Sequence, residues 1–426
     1  MVTAMDLLSD LEARGLIQEV THRDALAARL AQGPLTLYYG CDPTADSLHH
    51  GNLIGLLMLR RFQDAGHVPI ALAGGATGMI GDPSGQSAER NLLDAETLDA
   101  NVAAIKAQIG RIVDLDGERG RLVDNRDWTQ RISVLEFLRD VGKHATVNQM
   151  LARESVRVRL ESEHGISYTE FTYMLLQAND YLWLHDNLDC QLQMGGSDQW
   201  GNIVSGVDLI RRKRQVAVHA LAWPLLMSSD GTKLGKTTGA RLWLDPAKTT
   251  PFQFHQHWVQ LDDDEVGPHL KMFSLRPLAE IEALLAEHAS APERRRAQRQ
   301  LADEITAIVH GPLAARAAGG AADVLFGGDP LAASAAALEA LAVEVPSSQI
   351  GRGRLTDTVE VLVATGLATS NSDARRLLRQ GAVRVNGAVI AADQGLDAVA
   401  PLHGRYLLLR KGKRSHHLVE ISAHRG

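Results

Sequence analysis

Only two cysteines, Cys41 and Cys190, occur in 426 residues. They supply neither a disulfide framework nor a structural zinc cluster. Cys41 leaves two readings open, a reactive thiol or an inert, packed one. No apolar run approaches the roughly 18 residues that a membrane-crossing helix needs. The N-terminal stretch MVTAMDLLSDLEARG carries acids early and lacks the basic-then-apolar order of a signal peptide. Cytoplasm is therefore the expected location, with no membrane partner. Two nucleotide fingerprints are missing as well. The chain has no GxxxxGK[ST] loop, which argues against a P-loop nucleotidase, and no GxGxxG, which argues against a dinucleotide-dependent dehydrogenase. Repeats of solenoid length are also absent.

What is present suits a soluble globular chain of two or three domains, with 45% hydrophobic and 22% charged residues. The formal charge of −7 conceals an asymmetry. Residues 352–426 hold 12 Lys/Arg against 6 Asp/Glu, whereas the remainder carries 32 basic and 45 acidic residues. An acidic body with a basic tail suits a protein that recruits a polyanion at one end.

The first half follows a strand–helix–strand order. LTLYYG at 35–40 reads as a strand, and Asp46 or Ser47 is placed to cap a helix through LHHGNLIGLLMLRRFQDAG. VPIALAGG at 68–75 is nearly all apolar, as expected of a parallel strand covered on both faces. Such a βαβ unit crosses over right-handedly, and ligands of open α/β sheets sit at its carboxyl-end loops. A helical region is expected over about 95–180. CQLQMGG at 190–196 returns as a strand, GSDQWGN opens a helix, and VAVHALAWPLLM is strand-like again. Residues 251–310 are helix-rich. The Ala- and Gly-rich stretch 312–348 is the best linker candidate, with a helix around 331–343.

Two short motifs, about 180 residues apart, carry the chemistry: LHHGN at 48–52 and KLGKT at 233–237. A helix start presents unsatisfied N–H groups and the favourable end of its dipole to anions. HHGN places His49 and Asn52 there, and Gly51 has no Cβ to obstruct a planar nucleoside. It equally permits tight packing of the helix. Lys233 and Lys236 supply two ammonium groups for a phosphate chain whose leaving pyrophosphate gathers charge. Tyr173, Gln177 and Asp180 fall at i, i+4 and i+7, on one helix face. In the tail, SDARRLLRQG is a helix presenting Arg375, Arg376 and Arg379, and a hairpin turns at Asn386-Gly387.

LHHGN and KLGKT resemble the two signatures of class I aminoacyl-tRNA synthetases. YYGCDPTADSLHHGN, GGATGMIGDPSG, SYTEFTYMLLQAND, GGSDQWGN and DGTKLGKT are similar, in order and spacing, to the bacterial tyrosyl-tRNA synthetase family. SNSDARRLLRQGAVRVNGAVI resembles an S4-type RNA-binding module. The resemblance implies an α/β fold: a Rossmann-like parallel-sheet catalytic domain, a helical domain and a small C-terminal α+β S4-like domain. The implied boundaries are 1–245, 246–325, a linker over 326–352, and 353–426. Tyrosine and ATP would give tyrosyl-adenylate and pyrophosphate, and the tyrosyl group would pass to the terminal adenosine of tRNA(Tyr). By the same resemblance Tyr38 and Asp180 recognise the phenol, and Asp82, Tyr173 and Gln177 hold the α-amino group. Thr44, His49, Asn52, Lys233 and Lys236 serve ATP and the transition state. Gly40, Asp42, Gly51, Asp198 and Gln199 line the adenylate, although Ser197 or Asp198 equally suits a helix cap. Arg90 and the three tail arginines contact tRNA. ATP comes with Mg²⁺ as substrate; no permanent cofactor, protein metal site or DNA partner is expected, and the family works as a homodimer, with apolar segments within 130–165 as its contact.

Three positions depart from the family pattern. Asn52 replaces a histidine and can donate a hydrogen bond but never become cationic. His50 stands where an aliphatic side chain is usual and is expected in packing rather than as an acid. Gln86 stands where some relatives have a basic residue. A tryptophan-specific synthetase, a nucleotidyltransferase, or an RNA-binding scaffold without catalysis are the competing readings.

Overall fold

Strand alternation and buried apolar runs build the first sheet of the computed structural model, which describes residues 6–84, 93–161, 165–225, 241–412 and 414–422. Its strands are β1 (Glu19–Val20), β2 (Thr36–Cys41), β3 (Val68–Ala73), β4 (Arg121–Asp124), β5 (Cys190–Gly196) and β6 (His219–Trp223). They lie in the order β1-β6-β5-β2-β3-β4, all parallel except β1 against β6. All five residues of β6 and the last five of β3 are buried, which explains why both read as continuous apolar runs. From β2 the chain winds outward to β3 and β4, and then returns to the other side as β5 and β6. That reversal makes β2/β5 the switch point. Their pairing ends at Tyr38↔Gln193, so the two carboxyl ends part there.

The helix that follows β2 spans His50–Asp64 and buries Leu53, Ile54, Leu56, Leu57 and Phe62. Its cap is His49, not Asp46 or Ser47. Ser47 is engaged elsewhere: its hydroxyl bonds the Leu48 carbonyl and receives the Asp245 N–H. A further correction concerns 95–180, expected as helical throughout. RLVD forms edge strand β4, whose two apolar residues are too short a run to announce a strand. The long Tyr168–Leu188 helix, capped by Ser167, packs against the Trp200–Arg214 helix, where Gly206 leaves room for Tyr181. A Cβ on Gly206 would lie 2.9 Å from the Tyr181 ring. Tyr38, Ile70 and Leu72 of the sheet join Trp128, Met174, Tyr181 and Leu182 in one core cluster.

Compact packing divides the chain into Met1–Thr249 with Leu261–Ala297, and Thr250–Gln260 with Gln298–Gly426. The helices between 251 and 325 are thus shared between two units rather than forming a third. In the first unit, Arg14 and Arg61 both donate to the Ser274 carbonyl just past the Val266–Phe273 helix, supplying that helix end with donors.

The second unit holds the other sheet, β7 (Ser347–Gly351), β8 (Val383–Val385), β9 (Ala388–Val389), β10 (Tyr406–Lys411) and β11 (Ser415–Ser422). Its order is β7-β11-β10-β8-β9, with only β7 and β11 parallel. One face packs on the Thr358–Ala364 and Asn371–Arg379 helices, through Val361, Leu362, Ala374, Leu377 and Leu378. The other packs on helices Pro312–Leu325 and Ala335–Glu344. The segment expected as a linker, 326–352, is therefore built into the unit, ending in a strand of its sheet. The Ala- and Gly-rich composition of 312–348 serves close packing instead of slack: a Cβ on Gly320 would come within 2.9 Å of the Ala337 Cβ. The Asn386-Gly387 turn is where the sequence placed it, with both residues at positive φ.

One buried ion pair ties the first unit's helices together. Arg159 holds Glu170 through two bonds of 2.7 and 2.8 Å, each side chain 1% exposed. Glu170→Ala leaves the guanidinium charge buried without its partner, and urea titration is expected to show a loss of about 3–5 kcal/mol. The double replacement Arg159→Met/Glu170→Leu should lose less; a single variant as stable as the parent would contradict this account.

Candidate functional site

The switch point collects the polar residues. Tyr38 lies on β2 with its side chain buried and its hydroxyl without a hydrogen-bond partner. Its ring centroid is 5.4 Å from that of Tyr181. Burial, then the charge of Asp180, push the Tyr38 hydroxyl well above its ordinary pKa, so it stays a neutral donor. Asp180 comes from the Tyr168–Leu188 helix and is fully enclosed. Its Oδ1 accepts from Trp128 Nε1 at 2.8 Å and its Oδ2 from Asn125 Nδ2 at 2.9 Å. Burial raises the carboxyl to about 7, against the pull of those two donors.

From Asp180 a chain of bonds runs to the end of β2. Asn125 takes the Ala76 N–H on its oxygen and gives its second amide proton to Thr77 Oγ1. Thr77 donates to Asp42 Oδ1, and Tyr173 donates to Asp42 Oδ2 at 2.7 Å. Tyr173, Gln177 and Asp180 do share a helix face, and Gln177 Oε1 is another buried oxygen without a partner. Asp82 closes this end. It accepts from Ser84 N at 2.9 Å and from Gln199 Nε2 at 2.5 Å, with Asn202 more distant at 3.5 Å. Asn125, Thr77 and Trp128 were missed in the sequence. Their only signal was polarity inside otherwise unremarkable stretches, and Trp128 is fixed by stacking on Trp183 at 4.2 Å.

At the start of the His50–Asp64 helix, His49 Nδ1 accepts from Gly51 N at 3.1 Å, and Asn52 Oδ1 accepts from His49 N at 3.1 Å. A neutral ring accepting at Nδ1 carries its proton on Nε2. Gly51 has a local reason to be glycine: a Cβ there would lie 2.9 Å from His49 Cε1. His50 is buried and its imidazole is pushed down to about 4 by that burial, which keeps it neutral. The Tyr39 ring lies over Gly55, where a Cβ would intrude to 2.2 Å, with Trp223 edge-on at 5.3 Å. Tyr39 escaped notice because a strand aromatic is unremarkable.

Gly40 is exposed on β2, and Thr44 is exposed in the turn after it, its N–H bonded to the Asp42 carbonyl. Asp198 and Gln199 directly follow β5, and neither caps a helix with its side chain. Lys233, Lys236, Gln86 and Arg90 lie outside the described residues. The chain that leaves the KLGKT segment does not. Trp243 bridges His49, His50 N donates to the Leu242 carbonyl at 3.0 Å, and Leu244 N donates to the Leu48 carbonyl at 2.9 Å. The described chain downstream of the second motif, at Leu242–Leu244, is thereby paired with the first. Among the described residues no cluster of His, Cys, Asp or Glu is arranged to hold a metal ion. Both cysteines are buried, and burial raises Cys41 to about 12, which makes it the inert thiol of the two readings. In the second unit, Arg375, Arg376 and Arg379 are all exposed on the Asn371–Arg379 helix, while Ala374, Leu377 and Leu378 are buried.

Comparison with known proteins meets this geometry. A model of class I tRNA synthetases (W and Y) matches residues 30–327, and one of the tyrosine–tRNA ligase SYY-like C-terminal domain matches 337–419. The tyrosine–tRNA ligase of Opitutus terrae is 50% identical over 424 residues, covering 98% of this chain and 100% of its own length. That of Anaeromyxobacter dehalogenans (strain 2CP-1) is 49% identical over 421 residues, 98% of this chain and 99% of its own. The crystal structure of a C-terminally truncated Aspergillus nidulans mitochondrial tyrosyl-tRNA synthetase superposes with a TM-score of 0.68 at 32% identity, covering 76% of this chain and 95% of that one. A tryptophanyl-tRNA synthetase from Encephalitozoon cuniculi shares only the fold, at 14% identity and a TM-score of 0.55. With Tyr38 and Asp180 buried at the switch point of the sheet, and relatives half-identical from end to end, the chain belongs to the tyrosine–tRNA ligase family of class I tRNA synthetases.

Proposed function

We propose that the Tyr38–Asp180 end of the pocket takes the phenol of tyrosine, and that Asp82, Tyr173 and Gln177 take its ammonium group. The family's reaction is tyrosine activation with ATP, brought as its Mg²⁺ complex, followed by transfer to tRNA(Tyr). The observation that carries the pocket assignment is the buried Tyr38 hydroxyl, partnerless beside a carboxylate that two donors already hold. A phenolic OH satisfies both groups at once. Phenylalanine leaves them unpaired, and tyrosine against phenylalanine is a standard case of such discrimination.

The tyrosine carboxylate is ionised at neutral pH and needs no base. Its oxygen attacks the α-phosphorus, forming the mixed anhydride as the bond to pyrophosphate breaks. Alignment and charge stabilisation supply the catalysis. Thr44, the His49 Nε2–H, Asn52, Lys233 and Lys236 are assigned to the phosphates, and Gly40, Asp42, Gly51, Asp198 and Gln199 to the adenylate. A hydroxyl of the terminal adenosine of tRNA then attacks the tyrosyl carbonyl and releases AMP, with Arg90, Arg375, Arg376 and Arg379 positioning the RNA. We assign the domains as a catalytic body over 1–245 and an S4-like RNA-binding domain whose sheet begins with β7 at Ser347. The setting is proposed as cytoplasmic; no helix among the described residues is long and apolar enough to cross a membrane.

A homodimer is part of the proposal. Leu135 is 79% exposed and Tyr168 72%, with Val134 and Val147 exposed nearby in sequence. The helix Val134–Asp140 buries none of its side chains, an uncovered apolar surface that a second copy would cover.

Three measurements test these assignments. Lys233→Ala or Lys236→Ala should slow pre-steady-state adenylate formation by about 10²–10³-fold with tyrosine affinity kept; an unchanged rate removes that role. Tyrosine affinity should weaken as pH falls through about 7, because protonating Asp180 removes the acceptor of the phenol. Trp128→Phe deletes a donor that holds this carboxyl down, so the midpoint should move to higher pH, and an unmoved midpoint in equilibrium dialysis would refute the link. Leu135→Asp should convert a dimer to monomers by light scattering with little change in Tm, since the residue is already exposed; a persistent dimer places the interface elsewhere.

A further inference from the structure

Downstream of the second motif, the chain lays an indole against the histidine that caps the His50–Asp64 helix. Trp243 and His49 face one another across an antiparallel bridge. Their ring centroids are 6.3 Å apart and their planes meet at 69°, the edge-to-face arrangement that two aromatic rings favour. Backbone bonds on either side set that spacing: His50 N donates to the Leu242 carbonyl, and Leu244 N to the Leu48 carbonyl.

Trp243 is restrained by its own turn. Its N–H donates to Thr249 Oγ1 at 3.1 Å, and the N–H groups of Lys248 and Thr249 both donate to the Asp245 carbonyl. Asp245 in turn accepts the Ala247 N–H on its side chain and gives its own N–H to Ser47 Oγ. Two cations lie near the indole, the Arg241 guanidinium 5.4 Å and the Lys248 ammonium 5.5 Å from its centroid. Both are within the roughly 6 Å at which a ring attracts a cation. Lys248 also pairs with Asp46 at 2.8 Å, which ties the turn to the loop ahead of the first motif.

His49 is the member of this pair with chemistry to perform. The 3.1 Å bond from Gly51 N fixes where its Nδ1 lies, and the indole fixes the plane in which the rest of the ring can swing. Nε2 sits on the far side of the ring from that bond, so its direction depends on the plane. A donor displaced by about 1 Å from a developing charge can cost as much as 100-fold in rate.

We propose that Trp243 is a positioning residue for the activation step: its indole holds the His49 imidazole in the orientation that carries the Nε2–H toward the phosphates of ATP. The proposal rests on the role given to His49 above, and it assigns Trp243 no contact with tyrosine or nucleotide.

The test is a double-mutant cycle in the full chain, read as the pre-steady-state rate of adenylate formation at saturating tyrosine and ATP. Trp243→Leu keeps apolar bulk and removes the ring. It should slow adenylate formation about threefold to tenfold, the worth of one edge-to-face pair. Tyrosine affinity in equilibrium dialysis and Tm should stay at the parent's values. In a His49→Ala background the same substitution should leave the rate unchanged, because no imidazole remains to be oriented. Trp243→Phe, which still offers a ring, should recover most of the rate. Equal slowing by Trp243→Leu with and without His49 would overturn the proposal, and so would a Phe variant as slow as the Leu one. A Trp243→Leu enzyme at the parent's rate would do the same. A His49→Ala enzyme that forms adenylate as fast as the parent would instead remove the role of His49 on which the proposal rests.

Discussion

The pocket is organised by the need to hold a carboxylate where water cannot. Asp180 is enclosed beside Tyr38, and an enclosed carboxyl drifts toward its neutral form unless donors are aimed at it. Trp128 and Asn125 are those donors, and each must itself be fixed. Stacking on Trp183 holds the indole, and bonds to Ala76 and Thr77 hold the amide. Thr77 passes the constraint to Asp42, which fixes Tyr173. One buried charge thus sets the orientation of side chains from β2, the loop after β3, the residues after β4 and the long helix. Among the described residues at this end of the sheet, the buried atoms left without a partner include the Tyr38 hydroxyl, Gln177 Oε1 and Gln193 Oε1.

The sheet decides where that network meets the nucleotide chemistry. Reversal of strand order parts the ends of β2 and β5, and the loops carrying Asp42, Thr44, Asp198 and Gln199 emerge into the gap. The first crossover helix points its N-terminus at the same edge. The chain returns to this edge downstream of the second motif, where Trp243 bridges His49. Loop closure over a long segment costs little more than over a short one, so the separation in sequence is no obstacle.

Legibility in the sequence followed the strength of local periodicity. β3 and β6 announced themselves as apolar runs, the helix face of Tyr173, Gln177 and Asp180 as a stripe, and Asn386-Gly387 as a turn. β4 did not, because an edge strand of four residues has no run to show. The Ala- and Gly-rich stretch misled for a physical reason: the small residues that loosen a linker also let two helices touch, as Gly320 and Ala337 do. The donors around Asp180 were illegible because their partners are distant in the chain; Trp128 and Asp180 are 52 residues apart.

Asn52, the least familiar member of its motif, makes sense only with its neighbours. Its carboxamide accepts from the His49 N–H, so one short group closes the start of the helix against which, one turn on, the Tyr39 ring lies. The ring reaches that position because residue 55 is glycine. A longer side chain at 55 would displace Tyr39. A neutral amide also brings no charge that varies with pH to a site whose other charges sit on lysines and phosphates. The departure at 52 therefore keeps the helix start closed and adds no titrating group to it.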